Sequence, residues 1–342
     1  LFDPIVYHVK IMNFLEYATR ISEKVDQLVF DVIRGSPPEL YDATLHYIKA
    51  GGKRLRPLIT VLASRIAGGS EDIAIPGAAA VEVLHTFTLI HDDIIDKDVY
   101  RRGVPTVHRL WGIDMAIIAG DTLHAYAYKC LLSSLKLGLP EERILKAVQH
   151  LTQVTITIAE GQAADMLLPA RQKATIDDYL DMISKKTAAL FAASAAIGVV
   201  LAGGGEDLVK KLSDIMMYAG IAFQIRDDIL GLVGDEKTLG KPVYSDLREG
   251  KMTILVIYAL NKASEEQQKK IRFALGNRAA TLDELKEVAE LIKSLGAVEY
   301  ADELAEEYAS KAVSLLDTIQ TADSEALSML KDVVKFMVKR NY

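Results

Sequence analysis

The 342-residue sequence predicts an all-α fold, and three observations carry that prediction. Apolar residues recur at i, i+3 and i+4 along most of the chain, and β-branched residues rarely alternate with polar ones over a strand's length. Breaks at "AGGSED" (67–72), "KLGLPEE" (136–142), "LPARQKAT" (168–175), "AGGGED" (202–207), "ALGNRAAT" (274–281) and "QTADSE" (320–325) each carry Gly, Pro or a good N-cap. Helices of about 15 to 25 residues fit between them. No composition shift or low-complexity tract divides the chain, so residues 1–342 read as one large helical domain. Its motif-bearing part covers about 45–255, and a charged, amphipathic helical layer covers about 256–342.

Composition narrows the function. Half of the residues are hydrophobic, enough for a sizeable core, and the net charge of -7 argues against nucleic acid as a partner. One cysteine, Cys130, rules out an internal disulfide and points to a reducing, cytoplasmic setting. The first residues lack the charged-then-apolar pattern of a signal peptide. No apolar run reads as a transmembrane segment, because the best candidate, "KTAALFAASAAIGVVLAGGG", is Ala-rich and follows two lysines.

Along the chain, "GGKRLRP" (51–57) comes first, offering Lys53, Arg54 and Arg56 behind two glycines that permit close backbone approach. "AVEVLHTFTLIHDDIIDKD" then reads as a helix with Asp92 and Asp96 one turn apart on one face and Asp93 adjacent. Like charges at that spacing destabilise a helix, so a cation is the natural remedy. "DVYRRG" adds Arg101 and Arg102. "SKKTAAL" places Lys185, Lys186 and Thr187 before an apolar helix. "AGIAFQIRDDILGLVGDE" repeats the acidic pattern with Asp227 and Asp228, and "TLGKPVYSDLREGKMT" supplies Lys241 and Lys251 on a Gly-rich loop.

Two acidic helix ends of this kind can face each other. Mg²⁺ suits them, since it takes hard oxygen ligands, few of them carboxylates, and completes its shell with water and phosphate oxygens. Zinc is disfavoured, because the seven histidines and one cysteine show no ligand spacing. Any one lysine or arginine is equally at home on a solvated surface, but together they exceed the need of one magnesium-bound diphosphate. Two diphosphate sites follow, one with metal and one held by cations alone. No P-loop is present, which disfavours nucleotide phosphoryl transfer.

The combination of "GGKRLRP", "DDIID" with "RRG", "KT", and "FQIRDD" followed by "GK" resembles the trans-isoprenyl diphosphate synthase family, also called polyprenyl synthetases, and within it the archaeal branch that makes geranylgeranyl diphosphate. The absence of a two-residue insertion in the first motif agrees with that branch. The resemblance implies a helical bundle around a deep apolar cavity, a homodimer, and prenyl transfer from an allylic diphosphate to isopentenyl diphosphate. It assigns Asp92, Asp93, Asp96, Asp227 and Asp228 to three Mg²⁺ ions, with the first and last aspartates of the first motif and Asp227 as the direct ligands. Arg101, Lys186, Thr187, Gln224, Lys241 and Lys251 match the grip on the allylic diphosphate. Lys53, Arg56, His85 and Arg102 match the isopentenyl diphosphate site. Lys186, Thr187 and Gln224 would also steady the carbocation, the released diphosphate would take the proton, and Gln162 and Asp165 of "EGQAADM" would support the pocket. One departure stands out: the second motif ends in Gly231 where the family has aspartate. Asp235 replaces it only if the helix continues past two glycines.

Product length follows from the first acidic helix. Thr88, Leu84 and Val81 lie about 6, 12 and 16 Å before Asp92 on roughly its face, which makes them the expected walls for a growing tail. Phe87 matches the family's product-limiting aromatic, although an ideal helix turns it about 140° away from Asp92. One aromatic beside Thr88 implies a C20 product, with C15 and C25 as alternatives. A class I terpene cyclase would not need "GGKRLRP", and a non-catalytic subunit would not need an intact "DDIID" and "RRG".

Overall fold

A computed structural model describes residues 4–171, 173–234 and 243–338, with side chains at 14 and from 16 onward. Backbone contacts divide the chain into two compact units. The first comprises Leu1–Thr155, Leu190–Asp214 and Leu316–Val333, and the second Ile156–Ala189, Ile215–Leu315 and Val334–Tyr342.

The first unit contains α1 (Pro4–Val32), α2 (Pro38–Lys49), α3 (Leu55–Ile66), α4 (Glu71–Asp96), α5 (Val107–Trp111) and α6 (Ile113–Leu132). It also takes the first part of α7 (Glu141–Leu167), most of α9 (Ala189–Ala202), the start of α10 (Glu206–Val233) and most of α16 (Ser324–Val338). Helix α4 is its axis, packed against α1, α3 and α6. Ser70 precedes it in an extended conformation, and Glu71 and Asp72 put negative charge on its first turn, where the helix dipole favours it. Arg20 of α1 clamps Glu71 through two bonds of 2.7 and 2.8 Å. Ala78, Ala79, Ala80, Val81, Val83 and Leu84 then have no accessible surface. Each buried Val or Leu contributes roughly 1.5–3 kcal/mol, which anchors the acidic end of the helix.

The second unit holds the end of α7, α8 (Ile176–Ile183), the rest of α10, α11 (Ser245–Glu249), α12 (Ile254–Lys262), α13 (Glu265–Ala274), α14 (Leu282–Ser294) and nearly all of α15 (Ala297–Leu316). Its core joins Tyr179, Ile225, Ile229, Ile254, Leu285 and Ile292, among others. Between α8 and α9 the helix widens into a π-turn over Ser184–Ala188.

The all-α fold stands, with two details added to it. Among the described residues the chain does contain a strand pair, Tyr100–Arg101 with Val104–Pro105, too short for any alternating pattern to register. Two helical stretches, Glu71–Asp96 and Ile176–Ala202, are also long and apolar enough to cross a membrane. Burial explains their composition, since 72% and 78% of their apolar windows lie inside the protein.

Candidate active site

Helix α4 delivers the first acidic motif and then stops. Lys97 takes a left-handed φ of 60°, and its N–H returns to the Asp93 carbonyl. Asp92 and Asp96 are partly exposed, whereas Asp93 is fully buried. The two oxygens of Asp93 are engaged. Oδ1 accepts from Arg101 Nε at 2.7 Å and from its Nη2, and Oδ2 accepts from the hydroxyl of Tyr47, which is itself fully buried. Asp93 thus has its carboxylate turned to Arg101 and Tyr47, while Asp92 and Asp96 keep accessible surface. Burial raises the Asp93 carboxyl to about 6, against the opposing pull of Arg101.

The "RRG" stretch is a hairpin turn. Arg102 and Gly103 both have positive φ, 53° and 77°, between the paired strands, the geometry of a type I′ turn. This turn sends its two arginines to different partners. Arg101 meets Asp93 and, at 2.8 Å, Asp98. Arg102 donates through Nη1 to the carbonyls of Gly51 at 2.6 Å and Tyr47 at 3.0 Å. Gly52, with φ 156°, is where this approach demands glycine: a Cβ there would lie 3.0 Å from the Arg102 guanidinium carbon.

Lys53 is exposed. Arg56 lies 3.1 Å from His85 Nε2 and stacks over Phe191 at 4.1 Å. A guanidinium only donates, so His85 Nε2 accepts and the ring proton sits on Nδ1. Burial, with four nearby arginines, holds His85 well below its ordinary pKa and therefore neutral. Arg56 Nε is buried without a hydrogen-bond partner, and burial pulls that guanidinium down to about 10. A partly exposed cation with one buried, unpaired N–H is suited to an anionic ligand.

In the second unit the motif divides in the same way. Asp227 is exposed; Asp228 is buried and accepts from the Tyr179 hydroxyl at 2.7 Å and from Gln224 Nε2 at 2.8 Å. Gln224 Oε1 in turn accepts from Thr187 at 2.9 Å, on the π-turn. Lys186 on the same turn is held by Asp165 at 2.6 Å, and Gly161 lets the turn approach, since a Cβ there would lie 2.3 Å from the Lys186 backbone nitrogen. Gln162 Nε2 is buried with no acceptor. Burial first, then repulsion from Asp246, raises Asp228 to about 7. Lys251 pairs with Glu249 at 2.9 Å.

Lys241 and Asp235 lie outside the described residues. Helix α10 ends at Val233, and the space a side chain at Gly231 would enter is taken by Asp246 Oδ2, 2.5 Å from the ideal Cβ. An acid from α11 thus stands where the family's last aspartate would begin. On the product-length side, Phe87 and Thr88 are partly exposed, while Leu84 and Val81 have no accessible surface. Of these four residues, Phe87 and Thr88 are the two with accessible surface. The Phe87 ring stacks on His124 of α6 at 5.2 Å and meets His91 edge-on at 4.9 Å.

Sequence reasoning missed Tyr47, Tyr179, Glu82 and Asp246. All four act through partners far along the chain, and only their polar atoms on otherwise helical faces signal them. No group of three or more His, Cys, Asp or Glu converges on a metal-sized site among the described residues. Among the carboxylates of the two acidic motifs, Asp92 and Asp96 in the first unit and Asp227 in the second keep accessible surface.

The fold and these side chains define an all-helical protein with accessible carboxylates and arginine clusters suited to diphosphates. The family model described as polyprenyl synthetase matches residues 37–292. A geranylgeranyl diphosphate synthase of Sulfolobus acidocaldarius is 47% identical over 96% of this chain and 98% of its own, and a geranylfarnesyl diphosphate synthase of Aeropyrum pernix is 46% identical over 92% and 99%. The crystal structure of geranylgeranyl pyrophosphate synthetase from Pyrococcus horikoshii superposes with a TM-score of 0.89 at 36% identity, covering 97% of this chain and all of that one. The chain belongs to the polyprenyl synthetase family, and its fold is the all-α isoprenoid synthase fold.

Proposed function

We propose that this chain is a trans-prenyltransferase that condenses isopentenyl diphosphate with an allylic diphosphate, head to tail, to give C20 geranylgeranyl diphosphate. The observation that carries it is the pair Asp92 and Asp96, accessible at the end of α4, in the same unit as the arginines of "GGKRLRP" and "RRG". Family membership supplies the reaction class.

In this reading Asp92, Asp96 and Asp227 hold Mg²⁺, three ions in all, whose chemistry is to neutralise the departing diphosphate of the allylic substrate. Asp93 and Asp228 bind no metal directly; they orient Arg101 and Gln224. Arg101, Lys186, Lys241 and Lys251 bind the allylic diphosphate, and Lys53, Arg56, His85 and Arg102 bind isopentenyl diphosphate. The neutral His85 offers a hydrogen bond without adding charge to an already cationic site. Thr187 and Gln224 present oxygen dipoles to positive charge developing on the allyl group. Phe87 closes the tail path beside Thr88.

A homodimer is proposed as well, with the exposed Ile113, Ile117 and Ile118 of α6 as apolar surface for it, and cytoplasmic residence, for which the buried thiol of Cys130 is the support. The product names of the two relatives differ by one isoprene unit at almost equal identity, which keeps C25 as a second reading. The test is to incubate the purified chain with Mg²⁺, labelled isopentenyl diphosphate and farnesyl diphosphate and to size the products. A C20 diphosphate supports the proposal; a longer one keeps the reaction and rejects Phe87 as the stop; no elongation with any allylic primer rejects prenyl transfer.

A further inference from the structure

We propose that Glu82 is a positioning residue for the isopentenyl diphosphate site, the carboxylate that holds Arg102 in its binding pose. The inference rests on the reading that Arg102 contacts that substrate. Glu82 lies mid-way along α4 with 2% of its side chain exposed. Its Oε1 accepts from Arg54 Nη1 at 2.7 Å and from Arg102 Nη2 at 3.4 Å.

The hydrogen-bond inventory of Arg102 shows what this contact does. The Nη1 nitrogen carries two N–H groups, and both are used, on the carbonyls of Gly51 and Tyr47. One N–H of Nη2 goes to Glu82. One N–H of Nη2 and that of Nε therefore remain, two donors of the planar fork that can serve phosphate oxygens. Backbone carbonyls alone pin only one corner of the guanidinium; Glu82 pins the second and so sets the plane. The arginine needs that help, because it hangs from a two-residue turn at positive φ.

Helix periodicity joins this contact to the rest of the site. Glu82 and His85 are three residues apart and share a face of α4. Glu82 receives Arg102 and His85 receives Arg56, so one helix face orients both arginines expected to grip the substrate. Glu82 is itself unsuited to touch a diphosphate, since like charge would repel it. Its burial behind Arg54 and Arg102 places a neutralising charge where the ligand does not reach.

Glu82 is also half of a buried ion pair with Arg54, which is 2% exposed and also bound to Asp26 of α1 at 3.1 Å through both Nε and Nη2. A purely structural role must therefore be separated from positioning. Asp26→Asn loosens the same clamp on Arg54 and leaves the Glu82–Arg102 contact alone.

Steady-state kinetics of the full chain with Mg²⁺ supply the test, varying each substrate with the other saturating. Glu82→Gln is expected to raise KM for isopentenyl diphosphate about tenfold or more, the effect of one charge-assisted hydrogen bond, and to change KM for the allylic substrate less than about twofold. Glu82→Asp restores part of the loss, and Asp26→Asn lowers thermal stability with KM for isopentenyl diphosphate unchanged. If Glu82→Gln does not fold, Glu82→Asp is read in its place: a smaller but selective rise supports the inference, and no selectivity overturns it. Equal rises for both substrates, or an equal rise in Asp26→Asn, also overturn it. A wild-type chain that does not consume isopentenyl diphosphate overturns the prenyl-transfer reading and this inference with it; an active wild type with an unselective Glu82→Gln overturns the inference alone.

Discussion

Replacing Tyr47 with Phe tests how the first acidic motif is held. The Tyr47 hydroxyl is fully buried and serves two partners, donating to Asp93 Oδ2 and accepting from the Val107 N–H at 3.2 Å. Phe keeps the ring's packing and removes both bonds. A buried charged acceptor left short of a donor costs about 1.5–3 kcal/mol and an orphaned N–H about 1–3, so Tyr47→Phe should lose about 3–5 kcal/mol. That is a large share of a typical domain's stability, yet short of unfolding it. Asp93, already raised to about 6, loses a donor that favours its charged form and moves further up. Its hold on Arg101 then weakens near neutral pH. Urea unfolding gives the stability term, and titration of inorganic pyrophosphate in the presence of Mg²⁺ gives the site term, expected to weaken about tenfold as Arg101 loses its fixed pose, the effect of one charge-assisted hydrogen bond. A stability loss under about 1 kcal/mol, together with unchanged Mg²⁺ and pyrophosphate binding, would refute the assignment of Tyr47 as the support of Asp93.

Three further outcomes are expected. Phe87→Ser removes the ring stacked on His124 and should shift products beyond C20, read by chromatography; an unchanged distribution rejects Phe87 as the stop. Arg20, by hydrogen bonding, holds Glu71 down to about 2 from 4.5, so its contribution is present above pH 4.5 and is lost as pH falls towards 2. Glu71→Gln should therefore cost about 2–3 kcal/mol at pH 7 and flatten the acid limb of a stability profile; an acid limb as steep as that of the wild type would contradict the shift. Gly231→Ala should be nearly neutral in thermal denaturation, since a gain of up to about 1 kcal/mol in helix propensity offsets rotation of Asp246. Gly231→Asp, which restores the family pattern, should be about 1–2 kcal/mol less stable than Gly231→Ala because it sets a second carboxylate against Asp246; equal melting temperatures would show that Asp246 yields freely.

Much of the site is local in sequence and was legible there. Asp92 and Asp96 share a face because they are four residues apart, and the glycines of "GGKRLRP" and "RRG" mark positive φ at the turns that present the arginines. The division between exposed and buried aspartates was legible in part. Asp93 is rotated about 100° from Asp92 on an ideal helix, and Asp228 from Asp227, so one of each pair had to turn away. What it turned towards was not legible. Tyr47 stands 46 positions before Asp93, and Tyr179 stands 49 before Asp228. The hairpin was not legible because two residues per strand cannot show a period, nor was the π-turn, because nothing in "SKKTA" marks a widened turn.

The sequence by itself determined the helices, the punctuation between them, the acidic and basic motifs, and through those motifs the family. These properties depend on neighbours within a turn or two, where spacing and charge type act directly. Tertiary structure alone decided which aspartates stay accessible, that Glu82 and the two tyrosines hold charged groups in place, that Leu84 and Val81 are sealed in the core, and that Asp246 occupies the space beside Gly231. Each of those outcomes depends on burial and on hydrogen-bond partners tens of residues away, which exist only once the helices have packed.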